Sequence, residues 1–235
     1  DSYSGVDFLR DSEPSVDTAF PVLLSVRVAT TAMVIAGPLG IAIAWVQAKH
    51  RYPLRRVVDA LVLLPLVLPP TVVGYVLVVS FGRRGVFGQV LDRAFGIHLV
   101  FTPAAAVLAS ALVALPIVTK TAQPALEAVP RELENVGRTL GLAPLELLVR
   151  VTLPAAWRGV VAGLALGFAR AAGEFGATVM FAGDTPGRTN TMPIEIFAAS
   201  RAGEYERALL YVLLLVFASM AIVTLAALLT PRDAA

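Results

Sequence analysis

Between Phe20 and Gln47 the only ionisable side chain is Arg27. In a bilayer every backbone N–H and C=O must find its partner within the chain, so a run of this kind is committed to an α-helix. About 20 residues cross the hydrocarbon. This run is longer, so it is expected to tilt, or to bend at Gly37-Pro38. Arg27 lies near one end, where its stem reaches toward the headgroups. Four more apolar runs follow, at 57–81, 102–118, 160–181 and 209–229. The expected class is an all-α integral membrane protein with five predicted transmembrane helices in one domain over residues 1–235. Composition agrees, at 57% hydrophobic and 15% charged, against about 25% charged in soluble domains. Five spans use up the length and leave nothing for a soluble catalytic domain.

Other chemistries are excluded by what the chain lacks. With no cysteine there are no disulfides and no thiolate chemistry. The two histidines, His50 and His98, sit in different loops, so no metal site is expected. A net charge of +2 gives no footprint for nucleic acid. The front, Asp1 to Ala19, is polar and acidic, and lacks the basic start and apolar core of a signal peptide. Ser15 to Thr18 is expected to start a helix. The chain reads as trimmed at its front, with a sixth span lost before Asp1 held open.

The second run carries Pro65, Pro69 and Pro70 in its middle, so its helix is expected to be broken or strongly kinked. Irregular backbone at membrane depth survives only where protein or a wet cavity covers it. Pro69, Pro70 and Thr71 are therefore candidates for a translocation path, with a kinked packing helix as the alternative. Residues 82–101 read as a Gly/Arg loop with a short turn at Leu91–Phe95. In the fourth run Gly159, Gly163, Gly167 and Ala171 recur every four residues, a bare face that admits a neighbouring helix. Arg170 and Glu174 lie four apart in the same run. Charges there are costly, so the pair either neutralises itself as a packing salt bridge or faces a wet interior. In the second reading Arg170 attracts an anion and Glu174 tempers its binding; Glu174 as a proton carrier is a third. Gly173, Gly176 and Thr178 supply close backbone approach or hydroxyl contacts, or only packing. Between the last two runs, PIEIFAAS is too short to cross and reads as an interfacial or re-entrant helix.

The positive-inside rule orients the bundle. Lys49, Arg51, Arg55 and Arg56 form a short basic loop after the first run. With that loop inside, the front is extracytoplasmic, the C-terminus cytoplasmic, and a polar segment at about 120–158 faces the cytoplasm. Pro130 suits a first helical position, Glu132 and Glu134 the first turn, Arg138 the last, and Gly141 a left-handed stop. Val129, Leu133, Val136 and Leu140 give one apolar face. A second short helix restarts at Pro144, and Pro154 ends the segment. It is either an amphipathic connector or a docking element.

Gly141, nine residues, then Val151-Thr152-Leu153-Pro154 resembles the cytoplasmic loop of ABC importer permeases, E-A-A, three residues, G, nine residues, I-x-L-P. At the E-A-A positions stand Asn135, Val136 and Gly137, with Glu134 one place earlier. The runs LLPLVLPPTVVGY, SFGRRGVFG and FARAAGEFGATVMFAG are similar to molybdate/tungstate permeases. Sulfate and thiosulfate permeases typically carry a tyrosine where Phe175 stands. The resemblance implies a type I ABC importer permease-like bundle working as a homodimer. It implies two ABC ATPase subunits on the cytoplasmic side and an extracytoplasmic oxyanion-binding protein. The cargo would be a tetrahedral oxyanion, molybdate or tungstate first and sulfate or thiosulfate as the alternative. ATPase coupling would fall to Glu134, Asn135, Val136, Gly137, Gly141, Leu142, Ala143, Pro144, Leu145, Val151, Leu153 and Pro154. Arg188, Thr189 and Thr191 of the outer loop would meet the binding protein, unless that loop is simply solvated. The chain has no G-x-x-x-x-G-K-[ST] run, so it is expected not to be an enzyme, with no cofactor of its own and ATP and magnesium on the partner. The rival from another class is an ion-coupled secondary transporter using Arg170 and Glu174, for which no inverted repeat is visible.

Overall fold

The computed structural model describes residues 18–50 and 52–229. The acidic front, Arg51, Arg232 and the C-terminus lie outside the described residues, and with them most of the expected helix start at Ser15–Thr18. Every element among the described residues is a helix. α1 (Ala19–Lys49), α5 (Pro103–Glu127) and α12 (Tyr205–Leu229) are each long and apolar enough to cross a membrane. Two bent pairs bring the total to five if each is one span. In the first pair α2 (Arg55–Val67) and α3 (Pro70–Phe81) meet at 108°. In the second, the segment Pro144–Ala155 meets α9 (Trp157–Ala172) at 87°.

α1, α5 and α9 form the centre, zipped by side chains too small to hold helices apart. Ala29, Ala32 and Ala36 of α1 meet Ala111 and Ala114 of α5 and Ala171 of α9. The glycine stripe of α9 lies against α5: a Cβ on Gly159 would stand 2.3 Å from Ala125 Cβ, and one on Gly167 2.5 Å from Val118 Cγ2. Close approach of this kind replaces the hydrophobic drive that lipid cannot supply. One cluster at the end where α1 begins joins Leu24, Val28, Val73, Leu77, Val113 and Phe181. Another at the opposite end joins Ala44, Ala122, Leu126, Val129, Ala156 and Val160. α12 packs on α9 and on α11 (Met192–Ala202), with most of its leucines exposed. α11 is the short non-crossing helix that its length implies, and Met192 N–H donates to Ser25 Oγ of α1 at 2.7 Å.

α1 runs through Gly37-Pro38 as one helix, with Pro38 inside it. Other expectations need correction. α5 does not stop at Val118 but continues to Glu127, because its polar end finds partners: Lys120 pairs with Asp59, and Arg55 with Glu127 at 3.3 Å. The supposed loop at 82–101 contains a full helix, α4 (Val86–Phe95). Gly88 lets it pack directly on the backbone of Gly82, where a Cβ would lie 2.0 Å from the carbonyl oxygen, and Phe87 stacks on Phe81. The fourth span is not continuous. α9 ends at Ala172 and α10 (Gly176–Ala182) begins after a break at Gly173–Phe175.

Candidate functional site

The polar segment folds as helix, sharp turn and short helix. α6 (Arg131–Thr139) starts after Pro130 and stops at Gly141, whose φ of +85° is a left-handed conformation. Leu142 N–H donates to Gly137 O at 3.1 Å and Gly141 N–H to Arg138 O at 3.0 Å. This paired closure satisfies carbonyls that a helix end leaves open. α7 (Pro144–Leu147) follows, its first turn held by Glu146, whose carboxylate accepts from Ala143 N–H at 3.1 Å. This is half of a capping box, since alanine has no side-chain acceptor to return. A single π-helical stretch, Leu148–Thr152, and the three-residue α8 (Leu153–Ala155) then lead into α9.

The orientation of α6 decides what this segment can do. Its buried positions are Glu134 and Gly137, while Leu133, Val136 and Leu140 are exposed, Leu140 by 77%. An amphipathic connector would bury the apolar side. Here the helix sits on its polar side, because Glu134 has partners beneath it. Lys49 Nζ, at the end of α1, lies 3.2 Å from Glu134 Oε1 and also donates to Val129 O at 2.9 Å. Thr152 Oγ1 donates to Glu134 Oε1 at 2.9 Å. The carboxylate is only 2% exposed, and a buried charge is tolerable when paired and hydrogen-bonded in this way. Gly137 makes the seating possible, since a Cβ there would meet Leu147 Cδ1 at 2.5 Å. Leu145 and Val149 extend the exposed apolar surface, Asn135 only bonds to Arg138, and Ala143, Pro144 and Pro154 are exposed. Leu142 and Pro144 border a cleft of about 310 Å³ with Trp45, Lys49, Glu134 and Arg138. Val151 and Leu153 are half-buried in the return toward α9. Lys49 and Thr152 are the residues that sequence reasoning missed. Lys49 read only as part of a basic loop, and nothing in the spacing ties it to Glu134.

The path candidates converge from the two breaks. α3 opens at Pro70, and a Cβ on Gly176 would stand 2.6 Å from Pro70 Cβ, so the broken spans touch where each restarts. Pro69, Pro70 and Thr71 are exposed there. Arg170 Nη2 lies 2.7 Å from Glu174 Oε2, and Glu174 Oε1 accepts from Ala177 N–H at 2.8 Å. Both oxygens of Glu174 are thus engaged in closing the break, and its side chain is 1% exposed against 30% for Arg170. Thr178 is buried with no hydrogen-bond partner for its hydroxyl among the described residues.

The outer loop departs from expectation. Thr189 and Thr191 are buried, and Thr189 Oγ1 accepts from Thr185 N–H and donates to Gly183 O. Burial takes both off the exposed surface, Thr191 with no hydrogen-bond partner for its hydroxyl among the described residues, and leaves Arg188 exposed. Glu195 and Asn190 are buried together, bonded at 2.8 Å, and Arg207 closes the network on Glu195. Burial, and then the charge of Glu195, push the Asp184 carboxyl above its ordinary range.

Comparison with known proteins fits this geometry. Residues 36–232 match the family described as binding-protein-dependent transport system inner membrane component. The Molybdenum transport system permease protein ModB of Escherichia coli (strain K12) is 42% identical over 176 residues, covering 75% of this chain and 77% of that protein. The protein of the same name from Mycobacterium bovis (strain ATCC BAA-935 / AF2122/97) is 45% identical over 184 residues, covering 78% and 69%. A crystal structure of a bacterial ABC transporter involved in the import of the acidic polysaccharide alginate superimposes with a TM-score of 0.70. That match covers 97% of this chain and 82% of that one at 11% identity, which speaks to the fold alone. The helices, the two broken spans and the polar loop thus belong to a multi-pass membrane protein, and the chain is a member of the binding-protein-dependent transport system inner membrane components.

Proposed function

We propose that this chain is the permease subunit of an ATP-driven importer of molybdate or tungstate, gripped by its motor through α6 and α7. The observation that carries the reading is the inverted seating of α6. A helix that buries Glu134 and Gly137 and turns Leu133, Val136 and Leu140 outward is prepared for an apolar partner. The partner would be one of two ATPase subunits on the cytoplasmic side, which would hold ATP and magnesium; this chain would contribute no cofactor. Two copies of the chain would enclose one pathway, fed from outside by an oxyanion-binding protein. The front of the chain would then be extracytoplasmic and the C-terminus cytoplasmic.

Closure of the ATPases would bring the two docking elements together and switch the pathway between inward- and outward-facing states. Pro69, Pro70, Thr71 and Gly176, where the breaks meet, would line it, with Arg170 supplying positive charge. Glu174 and Thr178 are buried and would act from behind that surface. The molybdenum assignment rests on the names of the relatives and on Phe175, which packs against Phe197 at 5.2 Å between ring centres. The test is reconstitution with the cognate ATPase and binding protein. Molybdate and tungstate should stimulate ATP hydrolysis and enter the vesicle, and sulfate and thiosulfate should not. Stimulation by sulfate alone would reassign the cargo, and uphill uptake without any ATPase would sink the coupling reading.

A further inference from the structure

We infer that a cleft between α1 and the outer loop binds the headgroup of an anionic phospholipid, in the leaflet opposite the docking loop. Two arginines line it: Arg27 from α1 and Arg188 from the turn after α10 border one cavity of about 410 Å³, with Thr31 also in its lining. No carboxylate lines it, and neither arginine enters an ion pair among the described residues. Arg188 is not a loose side chain on a disordered tip. Its turn is tied by Arg188 N–H to Thr185 O at 3.0 Å and by Gly187 N–H to Asn190 Oδ1 at 3.0 Å.

The depth suits a headgroup. α1 has 31 residues, about 46 Å at 1.5 Å each, roughly 16 Å more than the hydrocarbon core. Sharing that excess between the ends starts the hydrocarbon about 8 Å from Ala19 and places Arg27 about 12 Å from Ala19, about 4 Å below that boundary and within reach of it for an extended arginine. The face of α1 that carries Arg27 also exposes Leu23, Val26, Val34, Ile35 and Leu39. Apart from Thr30 and Thr31 one turn below the charge, that stripe is aliphatic, so lipid is the medium beside it. The rest of the lining is largely apolar, with Phe20, Leu24 and Val107 among it. Two forked donors in an apolar lining match a phosphodiester with its acyl chains, since guanidinium pairs phosphate with two parallel hydrogen bonds. A soluble oxyanion would use the donors and leave the apolar lining unused.

Native mass spectrometry of the purified full chain in non-ionic detergent, titrated with phosphatidylglycerol and in parallel with phosphatidylcholine, tests this. The wild type should hold one phosphatidylglycerol per chain more tightly than any phosphatidylcholine. Arg27→Gln and Arg188→Gln should each weaken that site roughly fivefold, the effect of one basic residue at a lipid surface. Arg27→Lys keeps the charge and loses the fork, so it should weaken the site less than Arg27→Gln, which separates lost charge from misfolding, and Arg188→Gln changes only an exposed loop side chain. Equal binding of the two lipids, or unchanged binding in both glutamine variants, overturns the inference. So does displacement of the lipid by molybdate at an ionic strength where chloride has no effect, which would make the cleft a site for the soluble anion.

Discussion

Replacing Glu134 by Gln keeps the shape of the side chain and removes its charge. In the wild type the Lys49 and Glu134 side chains are 8% and 3% exposed and 3.2 Å apart. The variant leaves the Lys49 ammonium buried without its counter-charge, facing the neutral oxygens of the new amide and of Val129. Stranding one member of a buried pair costs about 3–5 kcal/mol. At about 1.4 kcal/mol per factor of ten, the population with α6 lifted from its seat rises by roughly two to three and a half decades. Hydrogen exchange read by mass spectrometry on peptides spanning 131–142 measures this directly, because local opening sets the rate of protected amides. Those amides should exchange at least a hundredfold faster, while peptides from the middle of α5 stay as they were. Replacing both partners by methionine should recover most of the protection, since an apolar pair carries no stranded charge. Exchange in α6 within threefold of wild type for Glu134→Gln would refute the idea that this pair seats the helix.

Gly141→Ala meets nothing within 4 Å, so its cost is the left-handed backbone alone, about 1–2 kcal/mol. It should loosen the loop and lower ATP-coupled uptake in vesicles while membrane insertion stays intact. Gly167→Ala drives a methyl to 2.5 Å from Val118 Cγ2 and should lower the thermal stability of the detergent-purified chain by about 1–3 kcal/mol; an unchanged melting temperature would show that α9 and α5 yield freely. The Asp184 carboxyl is raised above its ordinary range by burial and Glu195, so the folded state binds more protons there than the unfolded one, and stability falls as pH climbs from the ordinary aspartate range through the raised value. Asp184→Asn should therefore melt higher than wild type at pH 7 and match it in acid below that window. Glu174→Gln keeps an oxygen to accept from Ala177 N–H and releases Arg170, so assembly with the ATPase should survive while anion flux changes; wild-type flux would confine the pair to packing.

The five apolar runs were legible because a bilayer leaves them few alternatives, and the loop's caps were legible because proline and glycine act locally. Gly141 sits where a left-handed stop was expected, and the break in the second run falls at Pro69 and Pro70, while Pro65 stays inside α2. What escaped depends on contacts distant in sequence. Periodicity announces that α6 has an apolar face but not which way it looks, and that choice is made by Lys49 and Thr152 beneath Glu134. The break at Gly173–Phe175 has no proline to mark it. Glu174 was its trace, read as half of an ion pair when its other oxygen caps α10. Residues 86–95 looked like loop because glycine and charge are common there, and the helix forms since Gly88 lets it lie on the end of α3.

The same contacts bear on how a push at the loop would travel. Glu134 fastens α6 to Lys49 of α1, and the chain runs from α7 through the π-helical turn and α8 into α9 across an 87° bend. The cluster around Ala44, Ala122, Leu126 and Val160 binds those ends of α1, α5 and α9 into one block. At the other end, Val73, Leu77 and Phe181 bind α3 and α10 to the far halves of α1 and α5. Between the two blocks lie the breaks at Leu68–Pro69 and Gly173–Phe175, where the helical hydrogen-bond ladder is interrupted, and the helices that follow them touch at Pro70 and Gly176. A displacement of the docking loop would therefore be carried stiffly as far as these breaks and absorbed there. Packed helix interfaces slide or switch rather than stretch, and motion delivered to the one place where two spans are already interrupted opens or closes space between them at the least cost in hydrogen bonds. On this reasoning the breaks are hinges first, and any contact they make with a passing anion depends on that motion.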